Sequence, residues 1–278
     1  MNKEQMNQLD DFFADSTFSS SEIKLSEIFL QYCDYMDKLP AKIKKDGSFD
    51  SWKYFSEIAQ SKTLFKKKDD APIALALHWL SLVREQANII ATDNKIPTLN
   101  FTEKDLSELS HESVNVEKLP LIKDILLKHG IILVYQESLP GMKLDGASFL
   151  LDDKIPVIGM TLRYSRLDNF WFVLFHELSH IILHFDKLQT PVFDDLDEDS
   201  EEEIEMEANG LALNSLIPRP KWRSCNLHYN ANEAVLISFA KEINIHPSIV
   251  AGRFQKEKNK YSVFANIVNS VNTREILL

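Results

Sequence analysis

Only two of the 278 residues are cysteines, Cys33 and Cys225, far apart and without metal-type spacing, which excludes a disulfide scaffold. Seven glycines and ten prolines are too few for a collagen-like or linker-dominated chain. No apolar run approaches the roughly 18 residues that a membrane span needs, and the opening stretch MNKEQMNQLDDFF lacks the apolar core of a signal peptide. These absences leave a cytoplasmic protein with no membrane association as the expectation. The 17 Phe, 7 Tyr and 4 Trp supply ample material for a core, so wholesale disorder is excluded. At about 100–200 residues per domain, the length fits one large domain or two modest ones.

The formal net charge is −11, but it is concentrated in one place. Residues 194–207 read DDLDEDSEEEIEME, ten acidic residues with no basic one, so the rest of the chain is nearly neutral. A solvated loop running into a helix N-terminus, where the macrodipole favours carboxylates, accounts for the block. A flap or a lure for a basic partner is the sharper alternative.

Residues 1–100 read as a helical N-terminal region. Helices are expected over roughly 21–40, ended by Pro40, over 49–61, and over 71–92, where Asp69, Asp70 and Pro72 mark the entry. From residue 101 the character changes. Helices over 103–110 and 115–129, the second stopped at Gly130, lead to three short apolar runs at 130–136, 146–151 and 155–162. Pro140, Gly141, Asp145, Asp152 and Asp153 separate those runs, which is the punctuation of strands and turns. Helices over 169–185, 202–216, 231–243 and 247–258 complete an α+β domain spanning 101–278, with a small sheet and a C-terminal helical pair.

Residues 171–185, WFVLFHELSHIILHF, contain His176-Glu177-Leu178-Ser179-His180. A spacing of four on a helix puts His176 and His180 on one face, one turn apart, where both imidazoles reach one zinc ion. Glu177 is placed beside them to act as general base on a water rather than to bind the metal. The helix is apolar on nearly every side and so expected to be buried, where two His and a Glu without partners would be costly. The competing account, core histidines hydrogen-bonded beside a salt-bridged Glu, explains the composition but not the spacing.

A catalytic zinc takes a third protein ligand and keeps one position open. Twenty-five residues after His180 comes Glu205, on the same helical face as Ala208, Ala212 and Leu216, with Asn209 one turn beyond. Glu207 is rotated by about 200° from Glu205. This geometry favours Glu205 over Glu207 as the third ligand and makes Asn209 an orienter of a ligand side chain. His184, one turn past His180, faces the site either as a packing or hydrogen-bonding neighbour or as a stabiliser of the developing oxyanion. Arg163, Tyr164 and His228 are weaker candidates for that last role. His78, His111, His129 and His246 fit as core, helix-end and turn residues.

DNFWFVLFHELSHIILH (168–184), EMEANGLALNSLIP (205–218) and ISFAKEINIHPSIVAGRFQ (237–255) together resemble the ImmA/IrrE family of zinc metallopeptidases, also found within long HigA-like regulators. The likeness extends to GMKLDGASFLLDDKIPVIGMTL and covers roughly residues 115–258. It implies a zincin-like metallopeptidase fold of the gluzincin kind, with Zn²⁺ held by His176, His180 and Glu205 and Glu177 as general base. It further implies a zinc endopeptidase that cleaves or controls a helix-turn-helix repressor or antitoxin, in phage-related, toxin–antitoxin or stress-response transcription regulation. Residues 1–100 lack the DNA-binding helix-turn-helix of the fused regulators, so the repressor is expected as a separately encoded chain. Direct nucleic-acid binding is not expected. Residues 237–258 could pass for a helix-turn-helix, but the body lacks a basic footprint. The rival to proteolysis is a regulatory module that keeps the zinc site and controls its partner by contact.

Overall fold

The computed structural model of the chain describes residues 71–188, 192–194 and 203–278, together with position 37. The helices expected over 21–40 and 49–61 lie outside the described residues. Packing groups the chain into two units, Met1–Ala74 and Leu75–Leu278.

Helix α1 (Ala71–Asp93) carries Leu75, Trp79, Val83 and Ala87 at successive steps of four, and all four are buried. That stripe is one helical face. Its indole Nε1 at Trp79 donates to the Gln136 carbonyl at 3.0 Å, tying the helix to the end of the first strand.

Helix α2 (Glu103–Leu109) opens with a capping box, in which Thr102 N donates to Asp105 Oδ2 at 2.9 Å and the Thr102 hydroxyl accepts from Asp105 N. The single helix expected over 115–129 is instead a 3₁₀ segment, Val116–Leu121, followed by α3 (Ile122–Lys128). Pro120 has no N–H to give to the preceding turn, so a regular α-helix forms only beyond it. The stop at Gly130 is a Schellman turn: Gly130 N donates to Leu127 O and Ile131 N to Leu126 O, with Gly130 at φ +83°.

The sheet has the order β1-β3-β2-β4, with β1 Ile132–Tyr135, β2 Gly146–Leu151, β3 Ile155–Met160 and β4 Val192–Asp194. β1 runs parallel to β3, and β2 is antiparallel to both β3 and β4. Asp152 and Asp153 join β2 to β3 with φ of 51° and 57°, the pair of left-handed residues that a tight hairpin turn requires. All of β1 and β2 is buried. α1 lies on the sheet at Gly159, where a Cβ would come within 2.7 Å of the Trp79 ring.

Helix α4 (Leu167–Leu183) crosses the sheet against β2 and β3 and is buried along most of its length. Helix α5 (Glu203–Leu216) packs along it. The short α6 (Arg219–Arg223) leads to α7 (Glu233–Glu242) and α8 (Pro247–Lys258), and α8 packs on α4. The helical pair is therefore part of the core: Ile249, Val250, Ala251 and Phe254 of α8 are buried, and Arg253 Nη1 donates to the carbonyls of Leu213 and Ile217. Two further turns, α9 (Ala265–Val268) and α10 (Thr273–Leu277), which the apolar periodicity did not reveal, close the chain. Arg274 Nη2 there donates to Leu162 O at 2.7 Å, fastening the segment that enters α4. No helix among the described residues is long and apolar enough to cross a membrane.

Candidate metal centre

His176 and His180, one turn apart on α4, have no exposed surface, and Glu205 on α5 is buried opposite them. Their nearest donor atoms all lie within 4.8 Å of one another. His176 Nε2 is 2.9 Å from His180 Nε2 and 3.1 Å from Glu205 Oε2, and His180 Nε2 is 3.4 Å from Glu205 Oε1. Two consequences of helical geometry place them: the four-residue spacing on α4 and the inward stripe of α5 that buries Ala208, Ala212 and Leu216.

The outward nitrogens of both imidazoles have partners. His176 Nδ1 lies 3.1 Å from Asn209 Oδ1, one turn beyond Glu205. An amide oxygen only accepts, so the proton of His176 sits on Nδ1 and its Nε2 presents a lone pair to the cluster. His180 Nδ1 lies 3.2 Å from His184 Nδ1, and His184 Nε2 lies 2.9 Å from Glu207 Oε2. Glu207 turns away from the cluster, as its rotation on the helix requires, yet contacts the site through His184.

Burial works against the charge of Glu205. Burial likewise pushes the His180 imidazole below its ordinary range. Lone pairs of two imidazoles facing a carboxylate form a set of acceptors with too few protons among them. Glu205 Oε2 is fully enclosed and no N–H is aimed at it in hydrogen-bonding geometry. Such a set fits a cation, and two imidazole nitrogens with one carboxylate suit a metal ion of the zinc type.

Glu177 is also fully buried, on the sheet side of α4. Ser148 on β2 donates its hydroxyl to Glu177 Oε2. Two residues earlier on the same face of β2, a Cβ at Gly146 would fall on the Glu177 carboxylate and 3.0 Å from Val173 Cγ1. Neither Ser148 nor Gly146 stood out in the sequence. Alternation along a strand puts both on one face, but which helix covers that face depends on the tertiary fold.

The remaining candidates have partners of their own. Arg163 forms a two-pronged pair with Asp145, Nε–Oδ1 at 2.8 Å and Nη2–Oδ2 at 3.1 Å, and stacks 4.7 Å over the Tyr164 ring. His228 Nε2 lies 2.9 Å from the Trp222 carbonyl oxygen. His111 lies against Asn244 O, His129 against Asn100 Oδ1, and His246 caps α8.

No curated protein matches the chain. Residues 128–254 match the family model Peptidase_M78, described as the IrrE N-terminal-like domain. The match runs from the end of α3 into α8 and so contains every residue of the cluster. Over residues 128–254 the chain is thus similar to the ImmA/IrrE metallopeptidase family.

Proposed function

We propose that the chain is a zinc-dependent endopeptidase of zincin-like architecture, with His176, His180 and Glu205 as ligands and Glu177 as general base. The observation that carries this reading is the convergence of three buried acceptors, two of them imidazoles whose outward hydrogen bonds are already made, with a second buried carboxylate one residue along the same helix. A zinc ion in that cluster supplies Lewis-acid chemistry, lowering the pKa of water and polarising a peptide carbonyl.

The chain's own residues supply the rest. Asn209 and His184 keep the ligand imidazoles turned inward. Glu177 takes a proton from the attacking water and returns it to the leaving amine, as the same carboxylate can do in both halves of the reaction. Ser148 holds that carboxylate until water and substrate compete for it. The substrate is a protein, with a separately encoded helix-turn-helix repressor or antitoxin as the class suggested by the resemblance.

Docking of an extended substrate on β2 or β3 needs an open strand edge. β3 lies between β1 and β2 and has none. The outer edge of β2 pairs with β4 over Gly146, Ala147 and Ser148, and Leu150 N donates to Leu188 O. Strand addition beside Glu177 therefore requires β4 to leave. That occupancy favours the second reading, a regulator that grips its partner without cutting it.

Capture from the native host with wild type and Glu177→Gln, followed by intact-mass analysis, tests the choice. Proteolysis is supported if the variant retains a full-length partner that wild type converts to two fragments. If both retain the same intact partner, the contact-only regulator is the better account.

A further inference from the structure

We propose that Glu207 and His184 are positioning residues that fix the tautomer of His180, so that one carboxylate of the acidic tract governs how tightly the site holds its metal. The inference rests on the metal-binding reading above and adds a residue that helical rotation alone would discard.

Helix α5 presents Glu205, Glu207 and Asn209 at alternate positions. Glu205 and Asn209 share the face that meets His176 and His180. Glu207, about 200° around the helix from Glu205, projects past its flank. His184 lies there because it is the C-cap of α4: its backbone N–H donates to His180 O at 2.8 Å, and its side chain is only 4% exposed.

The directions of the hydrogen bonds follow from what each group can do. A carboxylate only accepts, so His184 Nε2 carries the proton that faces Glu207 Oε2 at 2.9 Å. With a single proton on the ring, His184 then offers a lone pair at Nδ1. His180 Nδ1, 3.2 Å away, must bring the proton between them. That leaves His180 Nε2 bare, 2.9 Å from His176 Nε2 and 3.4 Å from Glu205 Oε1. Asn209 does the same for His176 in one step. Both inward lone pairs are thus set by α5, the helix that also supplies Glu205.

The competing account is a half-exposed ion pair of no consequence, since the Glu207 side chain is 55% exposed and such pairs contribute little. Partners that orient ligand histidines, by contrast, alter metal affinity by about 10–100-fold. The two accounts predict different affinities.

The test uses the full chain stripped of metal, with Zn²⁺ affinity measured by competition against a chelator. Glu207→Ala is expected to weaken Zn²⁺ binding about 10–100-fold, and His184→Phe to do the same. Glu207→Gln keeps an acceptor for His184 Nε2–H and is expected to restore most of the affinity. The absorption spectrum of the Co²⁺-loaded protein, which reports the ligand field, is expected to change in Glu207→Ala and to return towards wild type in Glu207→Gln. Wild-type affinity and spectrum in Glu207→Ala would overturn the proposal. So would a Glu207→Gln variant as weak as Glu207→Ala, or a lowered melting temperature of the metal-free Glu207→Ala chain with unchanged affinity. Glu205→Gln separates the two levels: if wild type binds Zn²⁺ no better than Glu205→Gln, the metal reading fails and the positioning role fails with it.

Discussion

The hydroxyl of Ser148, on a buried strand, donates to the carboxylate of Glu177, on the helix that carries the two histidines. The group assigned to move protons is thus steadied from the sheet, while the histidines are steadied from α5. Removing the hydroxyl tests that division. In Ser148→Ala the carboxylate loses a charge-assisted hydrogen bond of about 1.5–3 kcal/mol, so turnover is expected to fall about tenfold or more. Zinc content should be unchanged, because no ligand is touched. Paired measurement of kcat on a captured substrate and of bound zinc by atomic emission checks it, and loss of zinc would place Ser148 in a different role.

Gly146 is constrained by space. A Cβ there would collide with the Glu177 carboxylate, and Val173 closes the other side. Gly146→Ala is expected to displace Glu177, reducing hydrolysis by about 10²-fold or more, the order of a general base's contribution. The zinc-loaded melting temperature should stay close to wild type. A fully active Gly146→Ala enzyme would mean that Glu177 works from another position.

Zinc is expected to stabilise the fold through Glu205. At a free concentration one hundred times its Kd, a ligand stabilises the native state by about 2.7 kcal/mol. For a protein of this size that corresponds to a rise in melting temperature of about 5–10 °C. Glu205→Gln should abolish the rise, as should a chelator added to wild type. Calorimetric scans with and without zinc decide it, and an equal rise in the variant would move the metal elsewhere.

His246 gives a pH dependence away from the metal centre. It caps α8, with its Nδ1 accepting from Ser248 N at 3.2 Å. Burial lowers its pKa below the ordinary 6.5, so the unfolded chain binds the proton more readily than the folded one. Its contribution is present above about pH 6.5 and is lost as pH falls from there through the lowered folded value. His246→Asn keeps a capping acceptor that does not titrate. The fall in melting temperature between pH 8 and pH 5, measured on metal-free protein, should be smaller in the variant by about 2–4 °C, corresponding to about 1 kcal/mol of cap. An identical fall in both proteins would remove His246 as a source of acid sensitivity.

Much of the site was legible because helices are local. A spacing of four brings His176 beside His180, and a further i, i+4 step on α5 pairs Glu205 with Asn209; neither relation depends on the rest of the chain. The strands at 146–151 and 155–160 and the Schellman stop at Gly130 followed from alternation, paired aspartates and a glycine, which are local as well. Pro120 also marked a break in a helix that periodicity alone ran through.

What the tertiary structure decided is which distant groups meet. Rotation by two residues says that Glu207 faces away from the metal cluster, but only the packing of α5 on α4 brings His184 into its path. Likewise Ser148 and Gly146 are ordinary strand residues until α4 crosses their face and presses Glu177 against them. The pairing of β4 with β2 joins residues more than forty apart, at the start of a tract whose acidic composition suggested a solvated loop, a flap or a lure for a basic partner. Periodicity describes the direction a side chain leaves its own helix or strand. The partner it finds there depends on long-range packing, which no local pattern encodes.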